Sequence, residues 1–388
     1  MQKLLQLALL MIFFSILTNF LHANSEIKAV QISYIDAQNF KELENKFLEI
    51  KRKGFNTIIF RVFQNNGDRF YPFIKMKNSK FGIYYKSKFA PCVNDCLKNV
   101  IKICKKLNLK IIAWMETRNC DFGLKGVLYR KIFKYNFKTK KFTPSKGLSF
   151  FVPENIFKIK KLFQDLAKYN IDGILIQDDV KILVDEDFNP FARKIFFKLT
   201  GKLINENYAQ KKLFCNIKSK SEITSDFLNT DWQKFKIIKL KAFLEELITS
   251  IKKVKKIKIF ANVNYETLDR SELSRLWYSY DLNSLFNTGV DVFSVMLYQE
   301  QMKNELSLKN GEILSFIKKI LINSQKYKNL KFLFKIQSYD WYSKKFLDSK
   351  SIFNLLTFLK NNNIKNVAIF PYNKKLFEKS KNEIAWKN

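Results

Sequence analysis

Eight short apolar runs recur along the chain, separated by stretches too long for hairpin turns. They occupy residues 29–34 (AVQISY), 57–63 (TIIFRVF), 109–115 (LKIIAWM), 172–177, 257–263 (IKIFANV), 291–297 (DVFSVML), 331–337 (KFLFKIQ) and 367–370. Runs of this length, rich in Ile, Val and Phe, read as buried strands. Helical periodicity fills the gaps over 40–53, 91–107, 155–169, 312–327 and 351–362, with a mostly helical tract over 189–256. Gly54 stands where the first of these helices would stop. Strands that alternate with crossover helices pair in parallel, and eight of them close into a (β/α)8 barrel of the TIM type. No Pro/Gly-rich linker divides the chain, so residues 27–388 are expected to form one barrel domain.

In such a barrel the active site lies at the C-terminal ends of the strands. The fourth run makes that end conspicuous: Gly173, three aliphatic residues, then Gln177, Asp178 and Asp179, with Asp185, Glu186 and Asp187 close behind. An unpaired buried carboxylate is costly, and this acidic knot sits in a chain with 70 Lys+Arg against 35 Asp+Glu. The bland alternatives are a solvated acidic loop or a structural Asp paired with a nearby Lys. Successive strand residues point to opposite faces, so one of Asp178 and Asp179 is expected to aim into the cleft as a general acid. The other would orient it or raise its pKa as a neighbouring like charge.

The remaining strand ends nominate a substrate-binding rim. The second leads to Asp68 and Tyr71, the third to Trp114, Glu116 and Asp121, and the fifth to Asn262, Asn264 and Tyr265. The sixth leads to Tyr298 and Glu300, the seventh to Gln337, Asp340 and Trp341, and the eighth to Tyr372. Carboxylates among Trp and Tyr suit a carbohydrate. Aromatic faces stack on sugar C–H groups, and a positioned carboxylic acid protonates the glycosidic oxygen. Core burial explains Trp114 or Trp341 alone equally well; the acids beside them favour a site.

Several function classes are excluded. Lys3, an apolar stretch over 4–21 and Ala23 before Asn24 form the pattern of a secretory signal over residues 1–23. An uncleaved anchor is the rival, since the stretch is nearly long enough to span, but Gln6, Thr18 and Asn19 interrupt it. Either reading predicts export to the periplasm or beyond, with membrane contact through this segment alone. The sole histidine, His22, lies inside it, so the mature chain would have none. That excludes Ser-His-Asp and Cys-His catalysis and imidazole zinc sites, leaving acid–base work to Asp, Glu, Tyr, Lys or Cys. Cys92, Cys96, Cys104, Cys120 and Cys215 show no CxxC or metal-ligand spacing; one or two disulfides are open, and spacing does not fix their pairing. No phosphate loop or dinucleotide fingerprint is present, so no cofactor and no metal are expected. The net charge of +35 suits a polyanion partner. Lysine is nevertheless spread evenly, with no arginine-rich arm, so nucleic acid is not expected.

DGILIQDDV, with Asp172, Gly173, Asp178 and Asp179, is similar to the DGILFHDDA of the C-terminal glycoside-hydrolase domain of bacterial poly-β-1,6-N-acetylglucosamine N-deacetylases, periplasmic enzymes of a biofilm polysaccharide. IIAWM resembles that family's strand bearing YAWM, and YNFKTKKFTPSKGLSFFVPE occupies the place of its loop before the fourth strand. DEDFNP resembles its acidic segment, Trp232 with Phe235-Lys236 its W-x-x-F-K helix, KIQSYDW its ELQ-x-x-DW and IFPY its YYPDD, all in the same order. The resemblance implies a barrel that cleaves partially de-N-acetylated poly-N-acetylglucosamine internally, without a metal in this domain. A polysaccharide substrate is the implied partner, and the exopolysaccharide export machinery a further candidate. The family's His before the Asp pair is Gln177 here, its Glu in ELQ is Lys335, its Arg-Asn after the fifth strand is Asn262-Val263, and its acids after YYP are Tyr372 and Asn373. The length leaves no room for the metal-dependent deacetylase domain, so deacetylation is not expected. Two rival readings stay open: a non-catalytic barrel that escorts the polymer, suggested by these departures, and a hydrolase of an anionic glycan, suggested by the charge. Whether a carboxylate nucleophile, a base or the substrate's own 2-acetamido group completes the reaction is also open.

Overall fold

The structure is a computed structural model that describes residues 26–120, 122, 127–309 and 311–377. All eight expected runs form strands: β1 (Lys28–Ile32), β2 (Thr57–Arg61), β3 (Lys110–Met115), β4 (Gly173–Ile176), β5 (Lys258–Asn264), β6 (Val292–Met296), β7 (Phe332–Gln337) and β8 (Val367–Phe370). They pair in sequence order and in parallel, and β8 closes on β1 with Lys28 opposite Val367 and Val30 opposite Ile369. β4 is wholly apolar because it is buried on both faces. Gly173 is dictated by packing, since a Cβ there would lie 2.8 Å from the Phe260 ring and 3.2 Å from the Lys258 carbonyl on β5.

The end of the barrel where the strands begin is pinned by short polar side chains. Asp172 accepts from the Ile111 N–H at 2.9 Å, Asp291 from Ile259 at 2.8 Å, and Asn56 from Lys28 at 3.1 Å. These bonds satisfy backbone donors at strand starts that the ladder leaves open. Asp172 is therefore a framework residue, one strand length away from the Asp178–Asp179 pair.

Around the barrel run α1 (Phe40–Arg52), α2 (Leu97–Lys106), α3 (Pro153–Ala167), α4 (Pro190–Thr200), α5 (Asp231–Val254), α6 (Gln299–Glu305), α7 (Glu312–Gln325) and α8 (Ser349–Asn361). Asn39 caps α1 by accepting from the Glu42 N–H at 2.9 Å. α2 starts later than its periodicity suggests. Pro91 and Val93 pair instead with Ile83, whose N–H reaches the Pro91 carbonyl at 2.9 Å. The tract 189–256 holds two long helices, α4 and α5, joined by a connection with short helical segments at Glu206–Tyr208, Ala209–Leu213, Lys220–Glu222 and Ser225–Asn229. The connection before α3 contains an antiparallel hairpin, Lys131–Asn136 with Lys141–Leu148. Its turn is set by Asn136, which accepts from the Lys138 and Thr139 N–H groups at 3.0 Å each.

No disulfide joins cysteines among the described residues, and Cys96, Cys104 and Cys120 are buried. No helix among the described residues is long and apolar enough to cross a membrane. The expected signal over residues 1–23 lies outside the described residues, as does Asp121.

Candidate active site

Asp178 and Asp179 follow β4 after Gln177, at the end where its chain leaves the barrel. Their surroundings differ sharply. Asp179 is buried and accepts four bonds: from the Thr117 N–H to both oxygens at 3.0 and 2.8 Å, from the Thr117 hydroxyl at 2.8 Å, and from the Asn119 N–H at 2.9 Å. Burial raises its pKa above the ordinary value, against the lowering effect of those donors; the Asp178 charge adds to the rise. The Asp178 side chain is 38% exposed, with Lys181 Nζ at 3.7 Å as its ion-pair partner. Both line the cleft; Asp178 is the more exposed carboxylate of the pair, and Asp179 the one that fixes the loop.

The cleft beside Asp178 has a volume of about 210 Å³ and is lined by Gln177, Arg118, Asn119, Lys146 and Lys181 among others. Its outer wall is the hairpin and the acidic segment after β4. Asp187 accepts from the Phe133 N–H at 3.2 Å, and the Tyr135 N–H reaches the Asp185 carbonyl at 2.9 Å. Arg118 and Lys134 hold Glu186 at 2.8 and 3.0 Å. Burial alone would raise the Glu186 pKa; these two cations outweigh it and bring it down to about 2. Burial pushes neighbouring Asp187 up to about 6 in spite of Arg118. From below, the buried Lys236 of α5 donates to the carbonyls of Leu183, Val184 and Glu186 at 2.8, 3.0 and 2.8 Å. Asp185, Glu186 and Asp187 therefore build the wall, and the acids that the sequence draws together are mostly engaged in holding it.

Across the mouth stands an aromatic cluster. The Trp114 ring on β3 meets Phe370 on β8 at 5.5 Å, and strands this far apart in the barrel order can touch only through the lumen. Tyr298 stacks near Phe370 at 6.0 Å and meets Trp341 at 5.0 Å. Trp341 is the exposed member, at 38%. Beneath them Lys335 is buried; its Nζ donates to Asn262 Oδ1 at 3.1 Å and faces the Tyr298 and Phe370 rings at 5.8 and 5.2 Å. Burial lowers its pKa to about 7, partly offset by the charge of Asp178. Two of the departures from the family pattern, Asn262 and Lys335, thus bond to each other inside the mouth.

Five of the nominated residues serve elsewhere or beneath the surface. Tyr71 is fully buried outside the barrel, stacked on Phe60 at 4.7 Å and donating to the Arg61 carbonyl at 3.1 Å, so it cannot touch substrate. The chain turns outward after β2 and carries Tyr71 into the helix layer. Tyr265 likewise packs against Phe316 of α7 at 6.0 Å and donates to Glu305 at 3.2 Å. Gln337 is buried, and its Oε1 accepts from the Glu300 and Gln301 N–H groups at 2.9 and 3.0 Å, fixing the first turn of α6. Asp340 accepts from the Tyr342 and Ser343 N–H groups and shapes a turn below Trp341. Glu116 is buried and accepts from Asn65 at 3.1 Å. Glu300 lies partly exposed at the rim, 3.5 Å from Lys303. Phe370 and Lys181 are mouth residues that the sequence reading missed; Phe370 ends the eighth run, at the C-terminal end where a barrel strand meets the mouth.

No group of three or more His, Cys, Asp or Glu side chains among the described residues is arranged to hold a metal. A larger groove, of about 1040 Å³, runs outside the barrel along α2 and α3 and contains none of the mouth residues.

A family model described as hypothetical glycosyl hydrolase family 13 matches residues 50–370, from α1 through the end of β8. The fold is similar to the PgaB (BpsB) glycoside hydrolase domain from Bordetella bronchiseptica, at 17% identity and a TM-score of 0.67, over 91% of this chain and 95% of that one. It is also similar to the catalytic domain of the β-amylase from Paenibacillus polymyxa, at 10% identity and a TM-score of 0.57, over 92% and 96% of the two chains. No curated protein matches. The exposed acid at the fourth strand, the aromatic mouth and the span of the family match agree: this chain belongs to hypothetical glycosyl hydrolase family 13 and is a glycoside hydrolase.

Proposed function

We propose that the protein is an exported, endo-acting glycosidase that cleaves partially de-N-acetylated poly-β-1,6-N-acetylglucosamine, with Asp178 as its general acid. The observation that carries this reading is the division of labour after β4. Asp179 is anchored by four bonds, and that leaves Asp178 as the exposed carboxylate of the cleft, its charge reaching Tyr298 of the aromatic cluster. A sugar stacked on Trp341 would present its glycosidic oxygen toward that acid. The resemblance carried by DGILIQDDV and the motifs in order after it supports this class of polymer. The likeness of fold to the Bordetella PgaB glycoside hydrolase domain supports a glycosidase, and the apolar N-terminal stretch supports export. The test is product analysis: purified protein incubated with partly deacetylated polymer should yield internal fragments rather than monosaccharides. Intact polymer after prolonged incubation would refute it.

A second reading has its own support. Lys335 occupies the place of the family's Glu, so the mouth has one acid fewer. That favours a barrel that binds and escorts the polymer without cutting it, and tight binding with no fragments would establish it.

A further inference from the structure

The charges around Asp178 are unbalanced toward the positive. Asp179 and Glu186, its acidic neighbours in the cleft, are both engaged by their own donors and cations. Lys181 stands 3.7 Å from Asp178, and Lys146 lines the same cleft. On the opposite side Lys335, 1% exposed, forms no ion pair among the described residues, and Asp178 is the carboxylate whose charge reaches it. An ammonium group has three donors and no acceptor. One of those at Lys335 is taken by Asn262, and the rings of Tyr298 and Phe370 cover it.

We propose that Lys335 selects the acetylation state of the sugar bound beside Asp178, admitting an N-acetylated residue and excluding one with a free, protonated amine. The inference rests on the glycosidase reading above and names the sugar that its site accepts. A glucosamine ammonium at the aromatic wall would be a further cation in a space where the exposed acid, Asp178, already answers to two lysines. An acetamido group keeps that nitrogen neutral and adds a carbonyl acceptor, which a lysine-rich mouth favours. In a partly deacetylated polymer the cut would then fall where an acetylated residue meets Asp178.

The experiment compares short β-1,6-linked oligomers, fully acetylated or fully deacetylated, bound to the full chain in buffer below pH 7. Calorimetry gives affinity and mass spectrometry gives products. Wild type should bind the acetylated oligomer roughly tenfold or more tightly, the scale set by like charges at close range in a partly desolvated site. Lys335→Met should bring the two affinities together, and Lys335→Glu should favour the amine. Lys335→Gln serves if Lys335→Glu does not fold. The same preference in wild type and all variants, or a wild-type preference for the amine, overturns the proposal. Selective binding without fragments sinks the glycosidase reading and leaves the selection standing; fragments with no selection do the reverse. Failure of wild type to bind either oligomer overturns both.

Discussion

Thr117 holds Asp179 from two sides, its N–H at 2.8 Å from one oxygen and its hydroxyl at 2.8 Å from the other. Asp178, the next residue back, has a lysine at 3.7 Å as its ion-pair partner among the described residues. Replacing each by Asn should therefore fail in different ways. Asp178→Asn keeps the shape but cannot donate the proton, so cleavage should fall by about 10²–10⁴-fold with an unchanged melting temperature. Asp179→Asn puts an amide among donors and should cost about 1–3 kcal/mol of stability. Thermal unfolding beside product assays separates the two. Equal activity in both variants and wild type would remove the acid assignment.

Trp341 offers an exposed ring against Tyr298, while Tyr298 itself is buried. Trp341→Ala should weaken polymer affinity by about 0.5–1.5 kcal/mol, the usual worth of an aromatic contact, with little change in stability. Affinity electrophoresis in polymer-containing gels reads this directly. Unaltered retardation would place the binding face elsewhere.

Lys335 carries a pKa of about 7 in the folded chain, below the ordinary 10.5, because burial disfavours its charge. Between these values the unfolded chain binds the proton more readily than the folded one. The contribution of this residue to stability is thus poorest below pH 7 and improves as pH rises toward 10.5. Lys335→Met should raise the urea midpoint most in acid and progressively less in alkali. A variant whose gain did not shrink with pH would contradict the buried cation.

Gly173 leaves room for the Phe260 ring, which a Cβ would meet at 2.8 Å. Gly173→Ala should destabilise by about 1–3 kcal/mol, as overpacking does. A neutral result in chemical denaturation would mean the β4–β5 contact is looser than these distances.

Cys215 is exposed and Cys92 half-buried, whereas the other three thiols are buried. Maleimide should label Cys215 first in the native protein and all five thiols after unfolding without reductant. A smaller count in the unfolded chain would reveal a disulfide.

The barrel was legible because each strand is an apolar run bounded by polar residues, a pattern that a sheet buried on both faces imposes. The candidate site was legible where it follows the C-terminal end of a strand, as for the Asp178–Asp179 pair, Tyr298 and Trp341, but which aspartate is the exposed one was not. It was illegible where a side chain's partner decides its role. Nothing local to Gln337 indicates that two N–H groups of α6 claim its oxygen, and nothing around Tyr71 marks the outward turn of the chain after Arg61. The hairpin was hidden for another reason. Its second strand reads KFTPSKGL, too rich in Lys, Pro and Gly to resemble a strand, and it owes its order to packing. Phe142 lies on Phe188 at 4.5 Å, and Tyr135 on Phe214 at 4.6 Å.

The three carbonyls that Lys236 gathers from Leu183, Val184 and Glu186 tie the cleft's outer wall to the second turn of a long helix. A wall tethered this way is a fixed rail rather than a flap. A polymer bound between it and Trp341, as the proposed function has it, would find no flap to open for its release. Long products should then dissociate more slowly than short ones, so that the first cut on each enzyme molecule outpaces steady turnover by a margin that widens with chain length.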